Sequence, residues 1–162
     1  MGRVSLLAAR ATELAIDNSG LIQDDISNPK TGLVYGSTSA SPPAIAQFAT
    51  QLYSGSMDGL PGSEYLKTMS HTCVINLAQF FQITGMVLPV CSACTSGSQS
   101  IGVAYEAIKY GKQSVMLAGG AEELHFAAAA VFNIMFATST RNHEPNKTPR
   151  PFDLHRDGLV VG

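Results

Sequence analysis

Over residues 1–19, Val4, Leu7, Ala8, Ala11, Leu14 and Ala15 recur at helical spacing, and Gly20 follows as a C-cap. The polar run from Gly20 to Gly32, broken by Pro29, reads as a loop. Leu33-Val34-Tyr35-Gly36 is short and continuously apolar, as a buried strand is, and Ser37 to Ser41 makes a small-residue loop after it. Pro42 and Pro43 suit the first turn of a second helix, with Ile45, Phe48, Ala49 and Leu52 along one face. Ser54 to Ser63 holds three Gly and one Pro and reads as a connection. A third helix is expected over Met69–Thr84, with Cys73, Leu77, Phe80 and Phe81 on its apolar side and Gly85 ending it.

The next stretch organises the rest. Val87 to Val90 is a second buried-strand candidate, and small residues then lead into a helix from Thr95 to about Tyr110, closed by Gly111. Ser114 to Ala118 gives a further strand ending in Gly119-Gly120. Residues 121–136 are Ala-rich and helical, Thr138 to Arg156 is loop-like with Pro145, Pro149 and Pro151, and Leu159-Val160-Val161 begins a strand. Strands alternating with helices predict an α/β class with a mixed or parallel sheet. At 162 residues, one domain is the expected organisation.

Composition narrows the function. Charged residues make up only 14% of the chain against 45% hydrophobic, where an average soluble domain carries about 25% charged. So little charge implies apolar surface reserved for a subunit interface or a neighbouring segment. A net charge of −2 offers no basic patch for nucleic acid. No apolar run approaches the ~20 residues of a membrane span, and the N-terminus shows no signal-peptide pattern. Three cysteines without a disulfide framework suit a reducing, cytoplasmic setting.

Cys94 falls where the strand stops and the helix starts. The unpaired N–H groups of a helix N-terminus carry about half a positive charge, which favours a thiolate and can hold the oxyanion formed when a thioester is attacked. Three arrangements fit this position. Cys94 is a lone nucleophile, or Cys91 and Cys94 form a redox C-x-x-C pair, or both are small core residues. Gly97, Ser98, Ser100, Gly102, Ala104 and Ala107 make the helix small on nearly every side. Interior glycines cost about 1 kcal/mol each, so a centrally buried helix aimed at the cysteine is expected, which favours the first arrangement.

Cys91-Ser92-Ala93-Cys94-Thr95-Ser96-Gly97, Ile101-Gly102, Ala118-Gly119-Gly120-Ala121-Glu122, Pro151-Phe152-Asp153 and Arg156-Asp157-Gly158 together resemble the elongating β-ketoacyl-acyl-carrier-protein synthases, the thiolase-fold condensing enzymes of fatty acid and polyketide synthesis. The resemblance runs from about Leu33 to Gly162. It implies that residues 1–162 form a partial N-terminal half of a thiolase-like fold, a mixed sheet with a buried nucleophile helix, without the family's first strand and C-terminal half. It implies Cys94 as the acyl-accepting nucleophile with its backbone N–H as an oxyanion donor, Cys91 as an ordinary strand residue, and Phe132 as a lining residue of the acyl-chain pocket. The loop after Gly36-Ser37 corresponds to a region that reaches the partner subunit's pocket. The implied partners are acyl- and malonyl-loaded acyl carrier protein and a second copy of the chain, with no cofactor and no metal. The family's two catalytic histidines lie beyond the matching region, which implies little condensing activity for these residues alone. A non-catalytic dimerising piece, or a thiolase, initiating or polyketide relative, is the alternative.

The histidines here match no catalytic position of that family. His71 falls near a helix start, His125 on the Ala-rich helix, and His143 and His155 in the Pro-rich segment, so surface or capping roles are expected. Glu122-Glu123 reads as a carboxylate pair complementing a helix start, and Lys109 and Lys112 as cations near a helix end.

Overall fold

A computed structural model describes residues 1–56 and 58–161. The chain divides into two compact units, Met1–Glu123 and Leu124–Gly162. In the first, helix α1 covers Arg3–Ser19 and a short helix α2 covers Gln23–Ile26, where a loop is expected. Strand β1 is Thr31–Gly36, followed by α3 (Pro42–Ser54), α4 (Gly62–Lys67) and α5 (Thr72–Phe80). Strand β2 is Val87–Val90, helix α6 is Ser96–Lys109 and strand β3 is Val115–Gly120. Gly20 and Gly111 close α1 and α6 in the left-handed conformation, as their positions predict.

The sheet has the order β2-β1-β3, and both pairings are parallel, with Leu33 opposite Val87 and Leu117. The mixed alternative is therefore set aside: these three strands run one way. β1 is buried along its whole length, which explains its unbroken apolar pattern. Alternate β1 side chains face opposite ways. Leu33 and Tyr35 join Val4, Ala8, Cys73, Val74 and Leu77 in a core formed with α1 and α5. Helix α6 packs on β1 and β3 from the other face.

α6 meets the sheet closely at its first turn. A Cβ on Gly36 would lie 2.7 Å from Ser96 Cβ, and one on Gly120 would lie 3.3 Å from Gly97 Cα. Only glycine at the ends of β1 and β3 lets the helix start so near the strands.

The burial expected of α6 falls along one side of the helix. Ser96, Ser100, Ala104 and Ala107 are buried, while Ile101, Tyr105 and Ile108 on another face are 61%, 62% and 45% exposed. Its small residues serve one stripe rather than the whole circumference. α5 also ends earlier than expected. Gln82 adopts a φ of +57°, and the Ile83 N–H reaches back to the Ala78 carbonyl at 2.8 Å, so the helix closes before Gly85. The face of α3 that carries Ile45 and Leu52 is exposed, with Ala44 its buried residue.

In the second unit, α7 covers Phe126–Ile134, shorter than the helical stretch expected from residue 121. The expected strand at Leu159 is reduced to one parallel bridge with Thr138. Asp157 ties this unit together. Its carboxylate accepts from Ser139 Oγ at 2.9 Å and from the Thr140 N–H at 3.1 Å, and Arg141 Nε lies 3.6 Å away.

Candidate active site

Because the strands are parallel, the segments that leave β1, β2 and β3 emerge at one edge of the sheet. In open α/β sheets, ligands bind outside this carboxyl edge. The β2 exit carries Cys91 and Cys94, both exposed. Between them Ala93 adopts a φ of +47°, a conformation that costs a non-glycine residue about 1–2 kcal/mol. The turn is held from several sides. The Thr95 N–H donates to the Ser92 carbonyl at 3.1 Å, and Thr95 Oγ1 donates to the same oxygen at 2.7 Å. Ser96 Oγ accepts from the Ser92 N–H at 2.8 Å and donates to the Ala93 carbonyl at 2.7 Å.

Thr95 is the N-cap of α6, so Cys94 immediately precedes the helix, as the sequence predicts. Its N–H donates to no protein acceptor among the described residues. An exposed thiol, an N–H without an acceptor and the positive end of a 14-residue helix thus share one point. Chemically, that arrangement suits a sulfur that attacks a carbonyl and a donor that holds the resulting oxyanion.

The structure reassigns Glu122 and Glu123. They do not open a helix, because α7 begins at Phe126 with His125 as its N-cap. The Glu122 carboxylate instead binds the segment leaving β1. It accepts from Ser37 Oγ at 3.0 Å, from the Thr38 N–H, and from the Ser39 N–H at 3.1 Å. Thr38 Oγ1 in turn donates to the Ala93 carbonyl at 3.3 Å. Glu123, only 6% exposed, accepts from Ser41 Oγ at 3.2 Å. Sequence reading missed this network because Glu122 and Glu123 find their partners more than eighty positions away along the chain.

The remaining candidates are dispersed. Cys73 is buried on α5, and burial pushes its thiol up to about 11, with a Ser5 hydrogen bond opposing and the Glu122 charge adding to the rise. His71 is the N-cap residue of α5. His125, His143 and His155 belong to the second unit, where His125 Nδ1 accepts from the Ala127 N–H at 3.2 Å, a capping role. Lys109 sits in the last turn of α6, its Nζ 5.5 Å from the Tyr105 ring centre. Phe132 lies half-buried on α7, in the other unit from Cys94. No cluster of three or more His, Cys, Asp or Glu among the described residues could hold a metal ion. A cavity of about 170 Å³ opens between α1 and the sheet, lined by Ala11, Thr12, Ala15, Tyr35, Leu117 and Ala118, away from the Cys94 turn.

Fold and site together define a class: α/β proteins that present a cysteine between a parallel strand and a helix at the carboxyl edge of the sheet. The family model described as beta-ketoacyl synthase, N-terminal domain, matches residues 1–162. The chain belongs to that family. It is 37% identical to 3-oxoacyl-[acyl-carrier-protein] synthase 1 of Haemophilus influenzae over 99% of its own length and 40% of that protein. The same-named protein of Escherichia coli K12 is 35% identical, with the same coverage. A beta-ketoacyl synthase crystal structure from Burkholderia phymatum superposes with a TM-score of 0.90 at 53% identity, covering 100% of this chain and 40% of that one. The thiolase-like fold expected from the sequence is therefore present, and the chain spans about 40% of the length of these relatives.

Proposed function

We propose that this chain is the acyl-accepting part of a 3-oxoacyl-acyl-carrier-protein synthase of fatty acid synthesis, with Cys94 as the nucleophile. The Cys94 thiolate attacks the thioester carbonyl of acyl-loaded carrier protein. The resulting oxyanion is held by the Cys94 N–H, and the carbon–sulfur bond to the carrier then breaks as the carrier's thiolate leaves and takes a proton from solvent, balancing the one the Cys94 thiol released. In a complete synthase of this family, malonyl-carrier protein would then lose CO₂ and its carbanion attack the acyl-cysteine, forming the new carbon–carbon bond and freeing the thiolate. The observation that carries this reading is Cys94 itself, exposed in front of α6 beside an N–H without a protein acceptor. The names of the 35–37% identical relatives support acyl carrier protein as donor and partner.

Phe132 is assigned to the acyl-chain pocket on family resemblance alone. A second copy of the chain is the further partner, and β2 supports this: it is an edge strand of the sheet, and Leu88 is 38% exposed. A cytoplasmic setting fits the unpaired cysteines, and no helix among the described residues is long and apolar enough to cross a membrane.

The test is a condensation assay with acyl- and malonyl-loaded carrier protein. The chain is expected to take up one acyl equivalent and then stop, because the family's catalytic histidines lie outside the matching region. Cys94→Ser is expected to take up none. Sustained release of β-ketoacyl product, or uptake that survives Cys94→Ser, contradicts the proposal.

A further inference from the structure

In the Cys94 turn the Ala93 carbonyl accepts three hydrogen bonds, one more than the Ser92 carbonyl beside it. The Ala93 oxygen accepts from the Ser96 N–H at 3.1 Å, from Ser96 Oγ at 2.7 Å and from Thr38 Oγ1 at 3.3 Å. That oxygen belongs to the same planar, trans peptide unit as the Cys94 N–H, so the two point in opposite directions. Fixing the carbonyl toward the protein therefore fixes the N–H away from it. Ala93 would otherwise relax from its φ of +47°, and the peptide plane would swing with it. Hydrogen bonds to the carbonyl also polarise the amide and strengthen its N–H as a donor.

We propose that the hydroxyls of Ser96 and Thr38 are positioning groups that aim the Cys94 N–H at the oxyanion, with Glu122 holding Thr38 in place. The three parts come from the three strand exits: Thr38 follows β1, Ala93 and Ser96 follow β2, and Glu122 follows β3. Ser96 is the stronger arm, since it is 5% exposed and its hydroxyl is also fixed by the Ser92 N–H at 2.8 Å. Thr38 is exposed and makes the longest of the three bonds, and its backbone N–H is anchored by the Glu122 carboxylate. The proposal rests on Cys94 being the acyl acceptor, and its test separates the two ideas.

Two reactions at one sulfur make that separation. Acylation by octanoyl-N-acetylcysteamine thioester passes through an oxyanion. Alkylation by iodoacetamide is a displacement at carbon that forms none. Loss of an oxyanion donor itself costs about 100- to 1000-fold, so loss of a group that aims the donor is expected to cost less. Ser96→Ala should slow acylation about tenfold and Thr38→Val about fivefold, each leaving Cys94 alkylation within about twofold of wild type. Thr38→Ser, which keeps the hydroxyl, should restore the acylation rate. Glu122→Ala should match Thr38→Val, and the double variant should lose no more than either alone, because both act through one bond.

Acylation of Ser96→Ala at the wild-type rate overturns the positioning role while leaving Cys94 as the acceptor. A parallel loss of acylation and alkylation also overturns it, by showing only a disturbed turn. Wild-type chain that alkylates at Cys94 but is never acylated there overturns the underlying reading, and the positioning role falls with it.

Discussion

Cys73 and Cys94 lie next to the starts of two helices, α5 and α6, yet their surroundings differ in almost every respect. Cys73 is 2% exposed in the core with Val4, Ala8 and Leu77. Cys94 stands outside the regular elements, exposed, in a turn tied down by serine and threonine side chains. A helix start alone does not make a thiol reactive. At Cys73 the loss of solvation outweighs it and pushes the thiol up to about 11. At Cys94 the sulfur keeps its contact with solvent, and the polar groups around it are engaged in shaping the backbone.

The largest expected contrast is chemical. At pH 8, a Cys73 thiol near 11 has about 100-fold less thiolate than the ordinary cysteine value of 9.0 allows. Iodoacetamide should therefore label Cys73 at least about 100-fold more slowly in the native chain than in denaturant, as read by peptide mapping. Equal labelling in the two conditions would erase the distinction. Next comes stability. Leu77→Ala removes a fully buried side chain from the core around Cys73 and should cost about 2–5 kcal/mol in urea unfolding. Cys94→Ala should stay within about 0.5 kcal/mol, as for an exposed site.

The smallest contrast is in alkali. Cys73 is raised in the folded state, so its protonated form favours folding. Its contribution is complete below about pH 9 and is lost as pH rises through about 11. Stability should fall over that window by on the order of 3 kcal/mol, and Cys73→Ala should flatten this part of the profile. A variant that keeps the full slope would place the titrating group elsewhere.

Much of this architecture was legible because local patterns were unambiguous. Val87 to Val90 is a short apolar run bounded by small residues, and it forms β2 over those residues. Thr95 to Tyr110 reads as a helix and lies within a residue of α6 at each end. Cys94 was placed before that helix by position and assigned a role by family resemblance. Contacts between distant segments were not legible. Glu122 beside Glu123 suggests a helix start by proximity, yet its hydrogen-bond partners are Ser37, Thr38 and Ser39. Nothing in the sequence marks Ala93 or Gln82 for a positive φ, since both residue types prefer ordinary helical or extended backbone. The exposed side of α6 was missed for a different reason. Small residues such as Gly97, Ser98 and Gly102 occur off the buried stripe as well, but the sheet takes up only Ser96, Ser100, Ala104 and Ala107.

The most direct measurement is peptide-mapped mass spectrometry of the intact chain after incubation with an acyl thioester. One acyl group on Cys94, with Cys91 and Cys73 unmodified, is the predicted result. An acyl group on Cys91 instead, an even spread over Cys91 and Cys94, or no adduct would contradict the assignment of Cys94 as the acceptor.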